Sequence, residues 1–381
     1  MKIAFILMSF PVTSETFVQR DISSLQQKGN QVDVYTLKHS KVKLKSDINS
    51  RDYKGYFRLK SIFSRLFFWW FYVLKNELKP IEKLKLFVLV PKCLIIADRI
   101  LQQDYNVVHL YWGHYPSLLG LILKDRAPCL HVSLFLGAYD LAKNLEISKK
   151  MVLQANSLWT HAKGNKEKLR RLGYPRSDDF IVNYRGLDLG FASSRVLDWS
   201  ERQYDFITVS RLIEGKGIME CLRAAREVKN SGRNFKYLII GDGPLKKQCS
   251  NYIRKHKLSD TIVLLGRQSV DVVFESMGAS RYFILLSQKV GECLPNVIKE
   301  AMLHECYILS ACSDNINELI VNSSVGLVIE QSAHNKITET LKLFLDVNMR
   351  PNVSLQRAIL RDKFNVEETS NKYLKYWGRY A

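Results

Sequence analysis

The stretch FITVSRLIEGKGIMECLRAAREVKNSGRNFKYLIIGDGPL, residues 206–245, reads as strand, loop, helix, strand and glycine turn. Residues 206–210 form the strand, residues 211–217 the loop, and a helix begins at Ile218. A second strand follows at 237–240, then the turn GDGP and a helix from Leu245. Strands that alternate with helices build a parallel sheet. Three more strands follow at 262–265, 282–286 and 306–310, which places all the strand-to-helix turns at the carboxyl edge of one sheet. Ligands of open α/β sheets bind at that edge.

The first half opens in the same way. Residues 3–8 are an apolar strand, residues 9–14 carry turn formers, and Val18, Ile22 and Leu25 recur at helical spacing before Gly29 stops the helix. Residues 31–37 alternate as a strand, and strand-like residues 107–111 and 130–136 lead into the loops WGHYP and LGAYD. The segment NYRGLDLGF, 183–191, closes this half, and the polar residues 193–203 read as a linker. A chain of 381 residues exceeds what one hydrophobic core supports. Two Rossmann-like α/β domains, 1–192 and 193–362, are expected.

Hydrophobic residues at 46% and charged ones at 25% exclude a disordered or fibrous chain. Seven cysteines without C-x-x-C spacing fit neither a disulfide framework nor a zinc site, and point to a reducing cytoplasm. The opening MKIAFILMSFP reads as a buried first strand, not a signal peptide. Net charge is +20 and uneven: residues 1–190 hold 30 Lys+Arg against 16 Asp+Glu, and the remainder 27 against 21. That asymmetry calls for an anionic partner of the first half: nucleic acid, an anionic leaflet or a phosphorylated lipid. Residues 61–96 are aromatic and basic, with FFWWFYVLK at 67–75 and KLKLFVLVPK at 83–92. Both apolar runs fall short of the roughly 20 residues that span a bilayer. They read either as an interfacial amphipathic element, with Arg65, Lys75, Lys79, Lys83 and Lys85 toward anionic lipid, or as a helix pair packed on the sheet. The two are compatible if one face is buried.

The chemistry concentrates in SQKVGECLPNVIKEAM, residues 287–302. A strand ends, a glycine turn follows, and Pro295 is expected at the first helical position. The N–H groups of Leu294, Asn296 and Val297 then point to the sheet edge, where a helix start favours a diphosphate. Glu292 before the helix and Glu300 inside it are acceptor-only carboxylates, each suited to one diol. Arg211 and Lys216 of SRLIEGKG are placed to neutralise a diphosphate leaving group. Gly241 and Gly243 of the GDGP turn permit close backbone approach.

The succession SRLIEGKG, IIGDGPL, VLLGRQ, GECLPNVIKEAM and VGLVIE resembles family 4 of the retaining glycosyltransferases, whose GT-B fold sets two Rossmann-like domains facing across a cleft. MSFPVTSETFVQRDI, HLYWGH, LRRLGYP and NYRGLDL are similar to segments of the branch that builds colanic acid, capsules and lipopolysaccharide, so the resemblance covers nearly the whole chain. It implies Glu300 on the nucleotide ribose, Glu292 on the donor hexose, and Arg211 with Lys216 on the diphosphate. It further implies Gly266 and Arg267 beside the base, the amides of Leu294, Asn296 and Val297 as phosphate cradle, and Pro11, Ser14, Glu15 and Thr16 as an acceptor loop. The segment 363–381, with a helix near 366–377, resembles the one that crosses back to the first domain in such proteins.

The chain departs from the family in places. Tyr111 precedes Trp112 and Gly113, leaving His109 and His114 nearby, and LGAYD lacks the histidine of an HGxD motif ahead of Asp140. Residues 303–307 read LHECY, and Asp314, Asn315 and Asn317 replace a glycine-proline turn. These changes flank the charged anchors, so altered donor selectivity is expected sooner than lost activity. No D-x-D occurs, so side-chain cations are expected to take the place of a metal. The sequence therefore predicts a metal-independent, cofactor-free glycosyltransferase of surface polysaccharide assembly, with Glu292, His114 and Asp140 as catalytic candidates. Its expected partners are a nucleotide sugar, a polyprenyl diphosphate-linked saccharide and the anionic face of the inner membrane, on which it lies from the cytoplasm. Two competing readings are a nucleotide-sugar 2-epimerase of the same fold and a basic nucleic-acid-binding protein. The second lacks any nucleic-acid motif and disperses its positive charge.

Overall fold

The computed structural model describes residues 1–12, 15–40, 50–51, 63–190, 196–288, 290–330 and 334–379. The chain divides into two compact units, Met1–Gly186 with Val366–Ala381, and Leu187–Asn365. The expected boundary at 192/193 lies outside the described residues, as do Ser14, Ser61 and Ile62.

The first unit runs β1 (Lys2–Leu7), α1 (Thr16–Gln27), β2 (Gln31–Thr36), β3 (Ser50–Arg51), α2 (Phe63–Lys75), α3 (Pro80–Leu101), β4 (Val107–Leu110) and α4 (Pro116–Arg126). It continues with β5 (His131–Phe135), α5 (Ala138–Lys143), α6 (Glu146–Gln154), β6 (Ser157–Thr160), α7 (Gly164–Arg171) and β7 (Ile181–Val182). Its seven strands are ordered β3-β2-β1-β4-β5-β6-β7 and pair in parallel. Strands buried on both faces read as continuous apolar runs, and β1 is one, with Ile3 to Leu7 fully buried. Three strands, β3, β6 and β7, were not foreseen.

The aromatic stretch is a helix pair, and each helix has two faces. Leu66, Trp69 and Val73 of α2 and Leu86, Val90, Cys93 and Leu94 of α3 belong to the core. Phe67, Phe71, Leu74, Ile81, Leu84 and Val88 stand in solvent, 54–67% exposed. The buried face answers the reading of a helix pair packed on the sheet, and the other face leaves apolar side chains exposed. Pro91 lies inside α3 without ending it. Among the described residues, no helix is long and apolar enough to cross a membrane.

The second unit runs β8 (Tyr204–Val209), α8 (Ile218–Asn230), β9 (Tyr237–Ile240), α9 (Lys246–Lys255), β10 (Ile262–Gly266), α10 (Val270–Gly278), β11 (Ser280–Leu285) and α11 (Asn296–Leu303). Then come β12 (Tyr307–Ala311), β13 (Gly326–Ile329), α12 (His334–Val347) and α13 (Val353–Lys363). Its sheet is parallel, in the order β10-β9-β8-β11-β12-β13. The sequence foresaw five of these strands. The sixth, β13, is a short edge strand in which Leu327 and Val328 are not buried, so its apolar signal is weak. Strand order reverses between β8 and β11, and that switch point positions the site.

The last helix, α14 (Val366–Trp377), belongs to the first unit. Ser370 and Ser24 of α1 share a hydroxyl hydrogen bond of 2.7 Å, and Trp377 Nε1 donates to Ser133 Oγ at 3.1 Å.

Candidate functional site

The loops after β8, β9 and β10 are stitched together by their backbones. Ser210 N–H donates to the Ile240 carbonyl at 3.1 Å, Leu212 N–H to Asp242 at 2.9 Å, and Gly241 N–H to Gly266 at 2.9 Å. This closeness requires glycine. A Cβ on Gly241 would lie 1.8 Å from the Ser210 carbonyl oxygen, and one on Gly243 2.4 Å from that of Leu212. The turn GDGP therefore fixes the path of the loop that carries Arg211, which is exposed. Asp242 accepts from Gly243 N–H and pairs with Lys246 at 3.2 Å. These contacts, with nearby Arg267, hold its carboxyl below the usual range.

At the switch point, Lys216 Nζ donates to Glu292 Oε2, and Ser287 Oγ donates to the same oxygen at 2.8 Å. Lys216 and Glu292 are only 12% and 15% exposed, so each charge is partly stripped of water and the other replaces it. The two residues that the resemblance assigns to the diphosphate and the hexose are thus one ion pair. Gln288 N–H donates to the Gly215 carbonyl at 2.8 Å and clamps the two loops together. Ser287 was given no role in the sequence reading, although it opens the decisive segment.

Pro295 is the N-cap of α11, not its first helical residue as expected, because helical geometry starts at Asn296. The preceding Leu294 takes φ 48°, which turns the chain into the helix. The N–H groups of Asn296 and Val297 lie in the first turn, ahead of any i→i−4 bond, at the positive end of the helix dipole. Asn296 Oδ1 is held by Lys299 Nζ at 3.0 Å. Glu300 follows one turn later, partly exposed, and its backbone carbonyl accepts from His304 Nδ1 at 2.7 Å. The arrangement offers an anion seat at the helix start, a cation beside it and two carboxylates on the same segment.

The first unit brings its own candidates together. Asp140 is buried; its Oδ1 accepts from Gly113 N–H (3.0 Å), His114 N–H (3.1 Å) and His114 Nδ1 (3.0 Å), and its Oδ2 from Gly137 N–H (2.8 Å). With these bonds made, Asp140 fixes the loop after β4 against the loop after β5 and orients the His114 ring. Burial pushes the Glu15 carboxyl up, against the pull of Arg185, Trp112 and His114. The Arg185 guanidinium lies 4.1 Å from the Phe17 ring centre and 4.7 Å from that of Trp112. Arg185 sits inside the segment NYRGLDL, where the sequence singled out no residue. His109 is a core histidine, bonded to Ser133 Oγ at 2.9 Å beneath Tyr373 and Trp377.

Residues 191–359 match the family described as glycosyl transferases group 1. The amylovoran biosynthesis glycosyltransferase AmsK of Erwinia amylovora is 25% identical across 96% of both chains. The putative colanic acid biosynthesis glycosyltransferase WcaL of Escherichia coli is 25% identical over 56% of this chain and 53% of its own, so the chain spans about half the length of that relative. An N-acetylgalactosamine-N,N'-diacetylbacillosaminyl-diphospho-undecaprenol 4-alpha-N-acetylgalactosaminyltransferase of Campylobacter jejuni is 27% identical over 58% of this chain and 60% of its own. Among solved structures, Anabaena Alr3699/HepE in complex with UDP and glucose superposes with a TM-score of 0.75 at 15% identity, covering 99% of each chain.

Proposed function

We propose that this chain, a GT-B protein whose residues 191–359 belong to the glycosyl transferases group 1 family, moves a sugar from a nucleoside diphosphate sugar to a lipid-linked saccharide in surface polysaccharide assembly. The observation that carries the reading is the Lys216–Glu292 pair beside the start of α11 at the switch point of the second sheet. The amylovoran and colanic acid relatives support the polysaccharide, and the Campylobacter relative, whose acceptor is a diphospho-undecaprenol saccharide, supports the lipid.

In this reading the first-turn amides of α11, Arg211 and Lys216 take the diphosphate, and no metal is needed. Glu300 accepts from the ribose hydroxyls. Glu292 takes the hexose hydroxyls and holds Lys216 ready. Gly241, Gly243, Gly266 and Arg267 shape the base end. The bond between the anomeric carbon and the β-phosphate oxygen breaks, and the acceptor oxygen bonds to that carbon from the same face. The acceptor proton passes to the leaving phosphate, so configuration is retained. His114, oriented by Asp140, borders the acceptor, and the exposed face of α2 and α3 holds the enzyme on the cytoplasmic leaflet.

A transfer assay with a panel of labelled nucleotide sugars and prenyl diphosphate-linked saccharides tests this. At least one pair is expected to give a lengthened lipid-linked product, and Glu292→Gln to lower the rate by about 100-fold. A chain that turns the donor into a new sugar without acceptor, or that gives no product with any pair, overturns the reading.

A further inference from the structure

Ser287 lies two residues beyond β11, at the switch point of the second sheet, and is 2% exposed. Its hydroxyl carries one proton and has two acceptors in reach: Glu292 Oε2 at 2.8 Å and the Gly215 carbonyl oxygen at 3.4 Å. Gln288 N–H already donates to that carbonyl at 2.8 Å. The carboxylate is nearer and charged, and hydrogen bonds to charged acceptors are the stronger, so the Ser287 proton belongs to Glu292.

Glu292 is therefore engaged from one side. Oε2 accepts from both Lys216 Nζ and Ser287 Oγ, whereas Oε1 accepts from no group among the described residues. Lys216 alone would leave the carboxylate loosely set, because an ammonium is a point charge on a flexible stem. A short, buried hydroxyl at the end of a strand adds a second, directional donor to the same oxygen. The turn at Gly291, φ 83°, returns the chain so that Ser287 and Glu292, five positions apart, can bond.

We propose that Ser287 is a positioning residue for the donor sugar: it holds the Glu292 carboxylate in one orientation, with Oε2 taken by the protein and Oε1 kept for the hexose hydroxyls. An oxygen with open lone pairs and no proton of its own selects a sugar that presents hydroxyls to it, and leaves the nucleotide to other groups. Lys216 bonds to Glu292 alone among the described residues, so its remaining N–H donors serve the diphosphate with or without the Ser287 hydroxyl. This role rests on the nucleotide-sugar reading above and adds the residue that sets the contact between Glu292 and the hexose.

Calorimetric titration of the full chain tests it with UDP-glucose and UDP-N-acetylglucosamine, each against UDP, and with GDP-mannose against GDP. In each pair the ratio of the two affinities isolates what the sugar adds. Ser287→Ala should lower that ratio about fivefold for the donor that the wild type binds best, somewhat less than one full hydrogen bond to a charged group because Lys216 still holds the carboxylate. The bare nucleotide should bind the variant within about twofold of wild type, which also reports that the second unit is folded. In the Glu292→Gln background, Ser287→Ala should move the ratio by less than about twofold, because the carboxylate that it orients has been replaced. An equal loss for nucleotide sugar and bare nucleotide would make Ser287 a loop support only and overturn the proposal. So would an unchanged ratio in Ser287→Ala, or an undiminished effect of that substitution in the Glu292→Gln chain. A wild type that binds no nucleotide sugar sinks the donor reading and this role with it, whereas wild-type binding with the ratio untouched in Ser287→Ala sinks the role alone.

Discussion

Lys216 and Glu292 stand 76 positions apart in sequence, and their pairing sets how the site behaves. Lys216→Met leaves a partly buried carboxylate without its cation, a loss of about 2 kcal/mol by chemical denaturation. Lys216→Arg should recover much of it. A second prediction concerns histidines outside the site. Burial pushes the His109 imidazole down to about 3 and that of His131 down to about 4. Both are neutral in the folded chain, while the unfolded chain takes up protons below its ordinary value of about 6.5. The unfolded state thus binds more protons in that window, so stability is full above pH 6.5 and falls as pH drops toward 3. His109→Asn should lower overall stability through lost packing but flatten this acid slope, as read by melting temperature from pH 7 to 4. Lys216, Glu292 and Glu300 stood out as candidates because charged residues beside a glycine turn and a helix start have few structural uses, and the fold brings the first two together. Ser287 and Arg185 did not stand out, since an isolated serine or arginine carries no signal until the fold supplies its neighbours.

At the scale of elements, the loops at the second sheet's edge depend on backbone contacts that admit no side chain. Gly217 has φ 73°, and a Cβ there would meet the Leu286 carbonyl oxygen at 2.2 Å. Gly217→Ala should destabilise by about 1–3 kcal/mol and reduce nucleotide-sugar affinity together, measured by denaturation and calorimetry on the same protein. Loss of stability with unchanged affinity would show that the Lys216 loop does not shape the site. The apolar strands were legible as uninterrupted runs, β1 and β9 among them. β7 has two residues and β13 leaves half its side chains unburied, so neither presents a run. Pro295 misled by one position because proline's fixed φ serves an N-cap, here with ψ 128°, as well as a first helical residue. For α2 and α3 the sequence left two readings open; their core-facing sides answer the packed helix pair, and the interfacial reading belongs to the proposal.

At the scale of the whole molecule, the restart of the strand-helix pattern after residue 203 revealed two α/β units, each with a parallel sheet. Where the closing helix belongs was not written in its own pattern. An amphipathic helix says that one face is covered, and contacts such as the serine pair with α1, the Trp377 bond to Ser133 and the Tyr373 ring against His109 tie it to the first unit. The charge excess of residues 1–190 was legible in the sequence, and Lys38, Lys79, Lys85 and Lys143 around one cavity of the first unit give part of that excess a location. The central claim is that the second unit holds a nucleotide sugar with Glu300 on its ribose. Calorimetric titration of the wild-type chain and Glu300→Ala with a panel of nucleoside diphosphate sugars tests it most directly. We expect at least one to bind the wild type, and the substitution to weaken that ligand by 10- to 100-fold, the worth of hydrogen bonds to a charged acceptor. Equal affinity of the two proteins for the best ligand, or no binding by the wild type to any nucleotide sugar, would contradict it.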